Sequence, residues 1–225
     1  MKQKLTLLLL LFVMLMQAQT KSQLPEGFVY VENIIPSVKV ELRYLSNYNF
    51  VGTPIDGYNA EVCILSKQAA IALKNVQEEL KQYNLSILVY DSYRPQQAVN
   101  HFVRWAKVEN DTINKHIFYP EVEKRNLFKE EYIGTRSGHS RGSTVDITLV
   151  DINTCEPLDM GSPYDFFGEA SWVAHANLTT QQRANRMLLQ TVMRKHGFRH
   201  YPKEWWHFTL NGEPFPKTYF DFPVE

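Results

Sequence analysis

SGHSRGSTVDITLV, residues 137–150, joins a turn rich in glycine and serine to a run of alternating apolar residues. The alternation over residues 143–150 predicts a β-strand. His139 lies just before this strand and Asp146 lies within it, so one short segment carries two side chains of the kinds that bind metal ions. A second segment with such side chains, EWWH, follows at residues 204–207.

The elements on the N-terminal side of this stretch have readable boundaries. In residues 66–83, apolar side chains recur at helical spacing and Ser66 is a suitable N-cap, which predicts an amphipathic helix. Residues 85–90, LSILVY, have the pattern of a half-buried strand. Pro95 ends that strand and can open a helix over residues 96–107.

The remaining segments complete the predicted fold. Residues 110–136 are charged and irregular, and we interpret them as a surface excursion with some helix. Residues 151–170 are rich in glycine, proline and aspartate and predict a long loop of the functional or mobile kind. A capping box at residues 179–182 starts a helix that Gly197 ends, and residues 205–209 predict a final strand. Without a regular alternation of strands and helices, this order predicts a single α+β domain with a mainly antiparallel central sheet flanked by helices.

The composition limits the possible partners. The 225 residues contain 24 lysines and arginines and 24 aspartates and glutamates, so no net charge attracts nucleic acid or an anionic membrane surface over a distance. A chain of this length buries a substantial core as one domain. We therefore expect a small or neutral partner and no nucleic acid, while the sequence does not indicate an oligomeric state.

The first twenty residues differ from the rest of the chain. Lys2 and Lys4 precede an apolar run, residues 5–16, and a short polar end, which is the layout of a secretory signal peptide. The run is short for a membrane span, and an uncleaved N-terminal anchor is the alternative. We therefore expect a signal peptide over residues 1–20, one domain over residues 21–225, and an exported protein that is periplasmic or secreted, without stable membrane insertion after cleavage.

Export would permit a disulfide between Cys63 and Cys155, the two cysteines of the chain. Their separation in sequence does not show whether the side chains meet, so a disulfide and two free, buried thiols both remain open. Neither cysteine lies near the candidate metal ligands in sequence.

A hydrolytic zinc site needs three imidazole or carboxylate ligands and one open position. His139, Asp146 and His207 supply such a set. Glu204 lies three residues before His207, and in a strand that spacing puts the two side chains on opposite faces. A bend near Trp205 is therefore expected if the carboxylate is to act beside the metal. The other histidines have no partner at ligand spacing and are interpreted as hydrogen-bonded or surface residues: His101, His116, His175, His196 and His200.

The combined pattern, Ser-x-His-x-x-Gly-x-x-Val-Asp followed at a distance by Glu-x-x-His, resembles that of the D-alanyl-D-alanine dipeptidases of the VanX type. This family of zinc peptidases is related to DD-carboxypeptidases and to the Hedgehog signalling domain. Several ordered matches are more specific than any single motif, and this resemblance implies that residues 21–225 form a zinc D,D-dipeptidase domain. The matching segments are residues 42–44, 49–52, 56–58, 91–95, 160–161, 165–167 and 204–208.

The resemblance implies one zinc ion per chain, bound by the three ligands named above, and a general acid and base at Glu204. Arg94, at the junction of a predicted strand and helix, would hold the scissile carbonyl oxygen as it becomes an oxyanion. The alternative for Arg94 is a structural salt bridge to Asp91 or a neighbour.

The resemblance also implies contacts with both ends of a dipeptide. Asp165 and Tyr44 would hold the free amino terminus, and the carboxylate would lie near Ser137. Asp165 could instead cap a turn beside Pro163, and Tyr44 could be a packed aromatic residue.

The reaction implied is zinc-dependent hydrolysis of D-alanyl-D-alanine and similar D,D-dipeptides to free D-amino acids, in cell-wall peptide turnover. Two features depart from the family: Thr144 stands where alanine is expected, and the signal peptide takes the chain out of the cytoplasm, where the resistance enzymes act. One alternative is a D,D-carboxypeptidase or endopeptidase on peptidoglycan stem peptides, which Asp165 and Tyr44 disfavour by closing the pocket. Another is a non-catalytic, zinc-bearing wall-binding module, which the presence of Glu204 and Arg94 disfavours.

Overall fold

Seven β-strands form two sheets in the computed structural model, which describes residues 24–225. The predicted signal peptide, residues 1–20, lies outside the described residues. The strands are β1 (Phe28–Tyr30), β2 (Lys39–Val40), β3 (Ile64–Ser66), β4 (Leu85–Asp91), β5 (Thr144–Asp151), β6 (Phe198–Tyr201) and β7 (Glu204–Leu210). β1 and β3 make a small antiparallel sheet, and the other five form the central sheet in the order β2-β4-β5-β7-β6.

The central sheet is mixed. β2 runs parallel to β4 at one edge, whereas β4 with β5, β5 with β7 and β7 with β6 are antiparallel pairs. The predicted strands over residues 85–90, 143–150 and 205–209 appear as β4, β5 and β7. The predicted α+β fold with a mainly antiparallel sheet is confirmed, and the parallel edge strand is the one pairing that departs from it.

The described residues also contain four α-helices: α1 (Lys67–Lys81), α2 (Gln96–Ala106), α3 (Lys115–Phe118) and α4 (Thr180–Lys195). The Oγ of Ser66 accepts a hydrogen bond from the Ala69 amide and caps α1, as predicted. Thr179 and Gln182 form the predicted capping box at the start of α4. Gly197 follows α4 with a φ of +90°, a left-handed conformation that ends a helix. α1 and α4 contact each other and pack on one face of the central sheet.

β5 is buried on both faces. Val145 and Ile147 point into the core between the sheet and the two helices. The intervening residues, which include Asp146 and Thr148, are polar, yet every residue from 144 to 150 is buried. The sequence predicts this strand correctly, but it does not show that the polar face is covered as well. That covered polar face carries the candidate site.

The loop after β5, residues 152–170, extends over this polar face and is anchored by Arg186 of α4. The buried Arg186 guanidinium donates hydrogen bonds to the carbonyl oxygens of Met160, Ala170 and Trp172 at 2.6, 2.7 and 2.8 Å. Burial lowers the pKa of Arg186 to about 10, so the side chain remains charged at neutral pH. One side chain of a helix therefore fixes the middle of a long loop and its C-terminal end.

Replacing Arg186 with methionine is expected to lower the free energy of unfolding by about 2–5 kcal/mol, because three carbonyl groups lose a charged donor. Urea denaturation followed by circular dichroism measures the change. Arg183→Met is the matched control, since Arg183 lies one turn earlier, is exposed, and donates to the Ala176 carbonyl near solvent. Equal stability losses in the two variants would contradict an anchoring role for Arg186.

Cys63 and Cys155 are both free thiols, so the disulfide is ruled out. The alternative of two buried thiols is correct only for Cys63, because Cys155 is exposed. Burial raises the pKa of the Cys63 thiol, which makes it an unreactive core residue. Within residues 24–225, no helix combines the length and the apolar character needed to cross a bilayer.

Candidate active site and metal centre

Three side chains converge at the middle of the central sheet. His139 lies in the short 3-10 helix Gly138–Arg141, Asp146 in β5 and His207 in β7, where Asp146 and His207 are direct partners across the strands. One ligand atom from each side chain lies within 4.8 Å of the others. The Asp146 Oδ1 is 3.3 Å from His139 Nε2 and 3.0 Å from His207 Nδ1. The predicted ligand set is therefore brought together.

The electrostatics of this cluster fit a bound cation. Burial disfavours the charged form of Asp146, but the attraction of His139 and His207 prevails and holds the pKa of that carboxyl below its usual range. Asp146 Oδ1 is buried without a conventional hydrogen bond, facing two imidazole nitrogens. Two nitrogens and one carboxylate oxygen are a donor set suited to zinc, with room for a fourth ligand on the cavity side.

A main-chain carbonyl group on the side away from the metal ligands orients the His139 ring. Its Nδ1 lies 2.7 Å from the Ser92 carbonyl oxygen, which can only accept, so Nδ1 carries the proton and Nε2 presents its lone pair to the cluster. The Oγ of Ser137 accepts from the His139 amide at 3.2 Å and caps the 3-10 helix. Hydrogen bonds of this kind fix the tautomer of metal-binding histidines.

Glu204 approaches the cluster because β7 is irregular where it begins. His200 of β6 pairs with Phe208, but the next residue, Tyr201, pairs with Glu204 instead of His207. This shift brings Glu204 to the same side as His207, with 3.3 Å between Glu204 Oε2 and His207 Nδ1. The predicted bend is confirmed. Burial raises the pKa of the Glu204 carboxyl, which moves it towards the range useful for proton transfer near neutral pH.

Arg94 follows β4 and points its guanidinium towards the cluster. Its Nε and Nη2 both lie 2.8 Å from Asp91 Oδ2, so the alternative of a salt bridge to Asp91 is observed. Tyr58 donates to the other oxygen of Asp91 at 2.7 Å. The Arg94 Nη2 also lies 3.8 Å from Asp146 Oδ2 and lines the cavity. The ion pair holds the arginine in place and leaves it able to donate into the cavity.

Asp165 and Tyr44 meet at the same cavity although 121 positions separate them. The Tyr44 hydroxyl donates to Asp165 Oδ2 at 2.8 Å, and Arg94 Nη2 lies 3.5 Å from that hydroxyl. Asp165 has a φ of +60°, a left-handed conformation that costs energy for a residue with a Cβ and that is found at functional sites. Burial raises the pKa of the Asp165 carboxyl, and the nearby Asp146 adds to this effect. Tyr44 is packed among aromatic rings, as its alternative interpretation has it, and it also lines the cavity. Its contact with a substrate ammonium group stays a prediction.

All eight residues singled out from the sequence line one cavity of about 310 Å³. They are Tyr44, Arg94, Ser137, His139, Asp146, Asp165, Glu204 and His207. The remaining histidines lie outside the metal cluster found in residues 24–225: His101 faces Asp56 and His196 faces Glu79, for example.

Part of the cavity wall comes from residues that the sequence motifs do not indicate. Glu131, Tyr132 and Arg136 line it, whereas the sequence predicts a surface excursion over residues 110–136. The end of that segment is held down by Lys203, whose Nζ lies 2.7 Å from a Glu131 carboxylate oxygen. Tyr132 stacks on Phe167 with 4.9 Å between the ring centres. The only sequence signal was that this segment leads directly into Ser137.

Comparisons with known proteins agree with this geometry. The peptidase M15 family model described as D-ala-D-ala dipeptidase matches residues 25–225. A D-alanyl-D-alanine dipeptidase of Enterococcus faecalis is 37% identical over 198 residues, which cover 88% of this chain and 98% of the relative. A D-alanyl-D-alanine dipeptidase of Streptomyces coelicolor is 38% identical over 197 residues, with the same coverage of 88% and 98%. A solved structure of the vancomycin resistance D,D-pentapeptidase VanY overlaps 69% of this chain and 77% of its own with a TM-score of 0.42 and 12% identity, which is too little to bear on function. The chain belongs to the D-Ala-D-Ala dipeptidase family of peptidases.

Proposed function

We propose that this protein is a zinc-dependent dipeptidase that hydrolyses D-alanyl-D-alanine and similar D,D-dipeptides. The observation that carries the proposal is one cavity in which a metal-ligand set, the half-buried Glu204 carboxylate, Arg94 and the Tyr44–Asp165 pair all meet. The family's full-length relatives have the same named activity. His139, Asp146 and His207 would hold the zinc ion, which when bound supplies Lewis acidity towards a carbonyl and lowers the pKa of water.

Glu204 and Arg94 are placed for the chemical step. The Glu204 carboxylate, beside His207, takes a proton from the attacking water and delivers it to the departing amine. The Arg94 guanidinium, held by Asp91, donates to the carbonyl oxygen as negative charge develops there. Arg94 keeps its charge, and its ion pair with Asp91 holds the guanidinium at the cavity.

The two ends of the substrate have separate partners in the cavity. A free ammonium group is matched by the buried Asp165 carboxylate and the Tyr44 hydroxyl that is already bonded to it. The substrate carboxylate is matched by Ser137 and by Arg136, which lines the cavity, is exposed, and lies over the Tyr219 ring. A zwitterionic dipeptide therefore fits better than a peptide blocked at either end.

The amino-terminal requirement separates this function from a carboxypeptidase. The zinc-loaded protein is expected to cleave D-Ala-D-Ala and to leave N-acetyl-D-Ala-D-Ala intact, as measured by release of free D-alanine. Cleavage of the acetylated peptide at a similar rate would instead indicate a D,D-carboxypeptidase. If neither compound is cleaved while zinc is bound, the chain is a zinc-bearing binding module.

Replacing Arg136 with glutamine is expected to lower kcat/KM for D-Ala-D-Ala about 10- to 100-fold, because a hydrogen bond between charged groups is worth about 1.5–3 kcal/mol. The same variant should cleave D-Ala-D-Ala amide, which lacks the carboxylate, as well as the unaltered protein does. Arg125→Gln, at another exposed arginine, is the control. Equal losses on both compounds would show that Arg136 does not read the carboxylate.

We further propose that the protein acts after export, in turnover of wall-derived dipeptides. The support is the order of charges and apolar residues in the first twenty positions, where Lys2 and Lys4 precede the apolar run over residues 5–16. Cell fractionation with an antibody to the protein tests it: the proposal predicts a shortened chain outside the cytoplasm, and a full-length cytoplasmic chain would overturn it.

A further inference from the structure

Tyr164 is a buried tyrosine next to the metal cluster that the sequence pattern did not single out. Its hydroxyl donates a hydrogen bond to Asp146 Oδ2 at 3.1 Å. The Tyr164 hydroxyl oxygen also lies 3.4 Å from the Tyr44 hydroxyl oxygen. Tyr164 therefore touches both the candidate metal ligand and the pair that is matched to the substrate ammonium group.

The two oxygens of Asp146 have different neighbours. Oδ1 faces the ring nitrogens of His139 and His207, at 3.3 and 3.0 Å. Oδ2 points away from them, towards the Tyr164 hydroxyl and, at 3.8 Å, the Arg94 guanidinium. A carboxylate without such a donor can rotate about its last side-chain bond and exchange its oxygens, because this torsion has a broad, two-fold profile. The hydroxyl of Tyr164 selects one orientation.

Tyr164 is itself held rigidly. Its ring stacks on Tyr90 of β4 with 4.6 Å between centres and meets Trp206 edge-on at 5.4 Å. The left-handed conformation of Asp165 lets two consecutive side chains approach the metal ligands: Asp165 lines the cavity, and the Tyr164 hydroxyl reaches Asp146. The backbone conformation at Asp165 thereby serves both residues.

We propose that Tyr164 is a positioning residue that holds Asp146 in a one-oxygen metal-binding orientation and joins the metal site to the ammonium-binding pair. The proposal rests on zinc being the metal of the proposed function. Donors to metal-bound carboxylates fix the ligand geometry, and losing one typically weakens metal binding by about 10- to 100-fold. Tyr44 donates its hydroxyl proton to Asp165, and its oxygen lies 3.4 Å from the Tyr164 hydroxyl. Tyr164 therefore contacts the ammonium-binding pair as well as the metal ligand.

The test compares zinc affinity in Tyr164→Phe and in the unaltered protein, by competition with a chromophoric chelator. The variant keeps the ring and its stacking and removes only the hydroxyl, and the zinc dissociation constant is expected to rise about 10- to 100-fold. Tyr90→Phe is the matched control, because it is the stacked neighbour and its hydroxyl lies beside Arg43, away from the metal ligands. That control is expected to bind zinc as the unaltered protein does.

A second measurement separates positioning from a general loss of structure. The urea midpoint of the zinc-free variant should stay close to that of the zinc-free unaltered protein, while the extra stability gained on adding zinc should shrink. Unchanged zinc affinity in Tyr164→Phe would overturn the proposal, and so would a loss of zinc-free stability large enough to account for the weaker binding. None of these readouts uses turnover, so they stand even if the protein fails to cleave D-Ala-D-Ala.

Discussion

Replacing Glu204 with glutamine is expected to lower kcat for D-Ala-D-Ala by about 100- to 10,000-fold, the usual contribution of a positioned general acid and base. Glutamine has nearly the same shape but cannot accept the proton of the attacking water. KM and zinc content should change little, since Glu204 is not among the three ligand groups. Single-turnover kinetics with zinc-saturated protein measures the chemical step directly.

The control for this experiment is Glu131→Gln. Glu131 is also a carboxylate on the cavity wall, but it is exposed and paired with Lys203. Exposed ion pairs are worth about 1 kcal/mol or less, which limits the expected change to about fivefold. If Glu204→Gln retained activity within that same range, the carboxylate beside His207 would not be the catalytic base.

Replacing Asp146 with asparagine is expected to weaken zinc binding by more than about 100-fold, since even the loss of an outer-shell partner costs about 10- to 100-fold. The amide fills the same space but removes the negative charge between His139 and His207. Hydrolysis should be lost in parallel at limiting zinc. Equilibrium dialysis followed by metal analysis gives the affinity.

Asp111→Asn provides the comparison for that variant, because Asp111 is an exposed aspartate away from the cavity. It should bind zinc with unaltered affinity. Zinc binding of normal strength in Asp146→Asn would show that the carboxylate is not a ligand, and the metal would then have to be held by the two histidines and a different third group.

The three long helices and the three longest strands, β4, β5 and β7, could be predicted because their signals are local. Ser66 and the capping box at Thr179 and Gln182 mark helix starts through side chain to backbone hydrogen bonds that form within one turn. The burial of the polar face of β5 could not be predicted, because it depends on the loop that Arg186 anchors from a distant helix. The parallel pairing of β2 with β4 could not be predicted either, because the pattern of a two-residue strand is too short to specify its partner or its direction.

The candidate site likewise contains residues that the sequence predicts and residues that it does not. His139, Asp146 and the Glu204–His207 pair stand in short motifs, and their chemistry shows in the sequence. Tyr164 lies in no such motif. Its neighbours are Tyr90 of β4 and Trp206 of β7, which are distant from it in sequence. The wall formed by residues 131–136 depends on Lys203 in the turn between β6 and β7. Contacts made across the fold remain invisible to patterns within one segment.

The metal-ligand cluster links distant parts of a chain that has no disulfide. His139 and His207 are 68 positions apart, and together with Asp146 they tie a turn and two strands to one point. With zinc in that place, the folding equilibrium obeys mass action: free zinc at one hundred times its dissociation constant adds about 2.7 kcal/mol to the stability of the native state. The zinc supply around the protein would then affect its lifetime as well as its activity, because scarce zinc would lower the fraction of folded molecules.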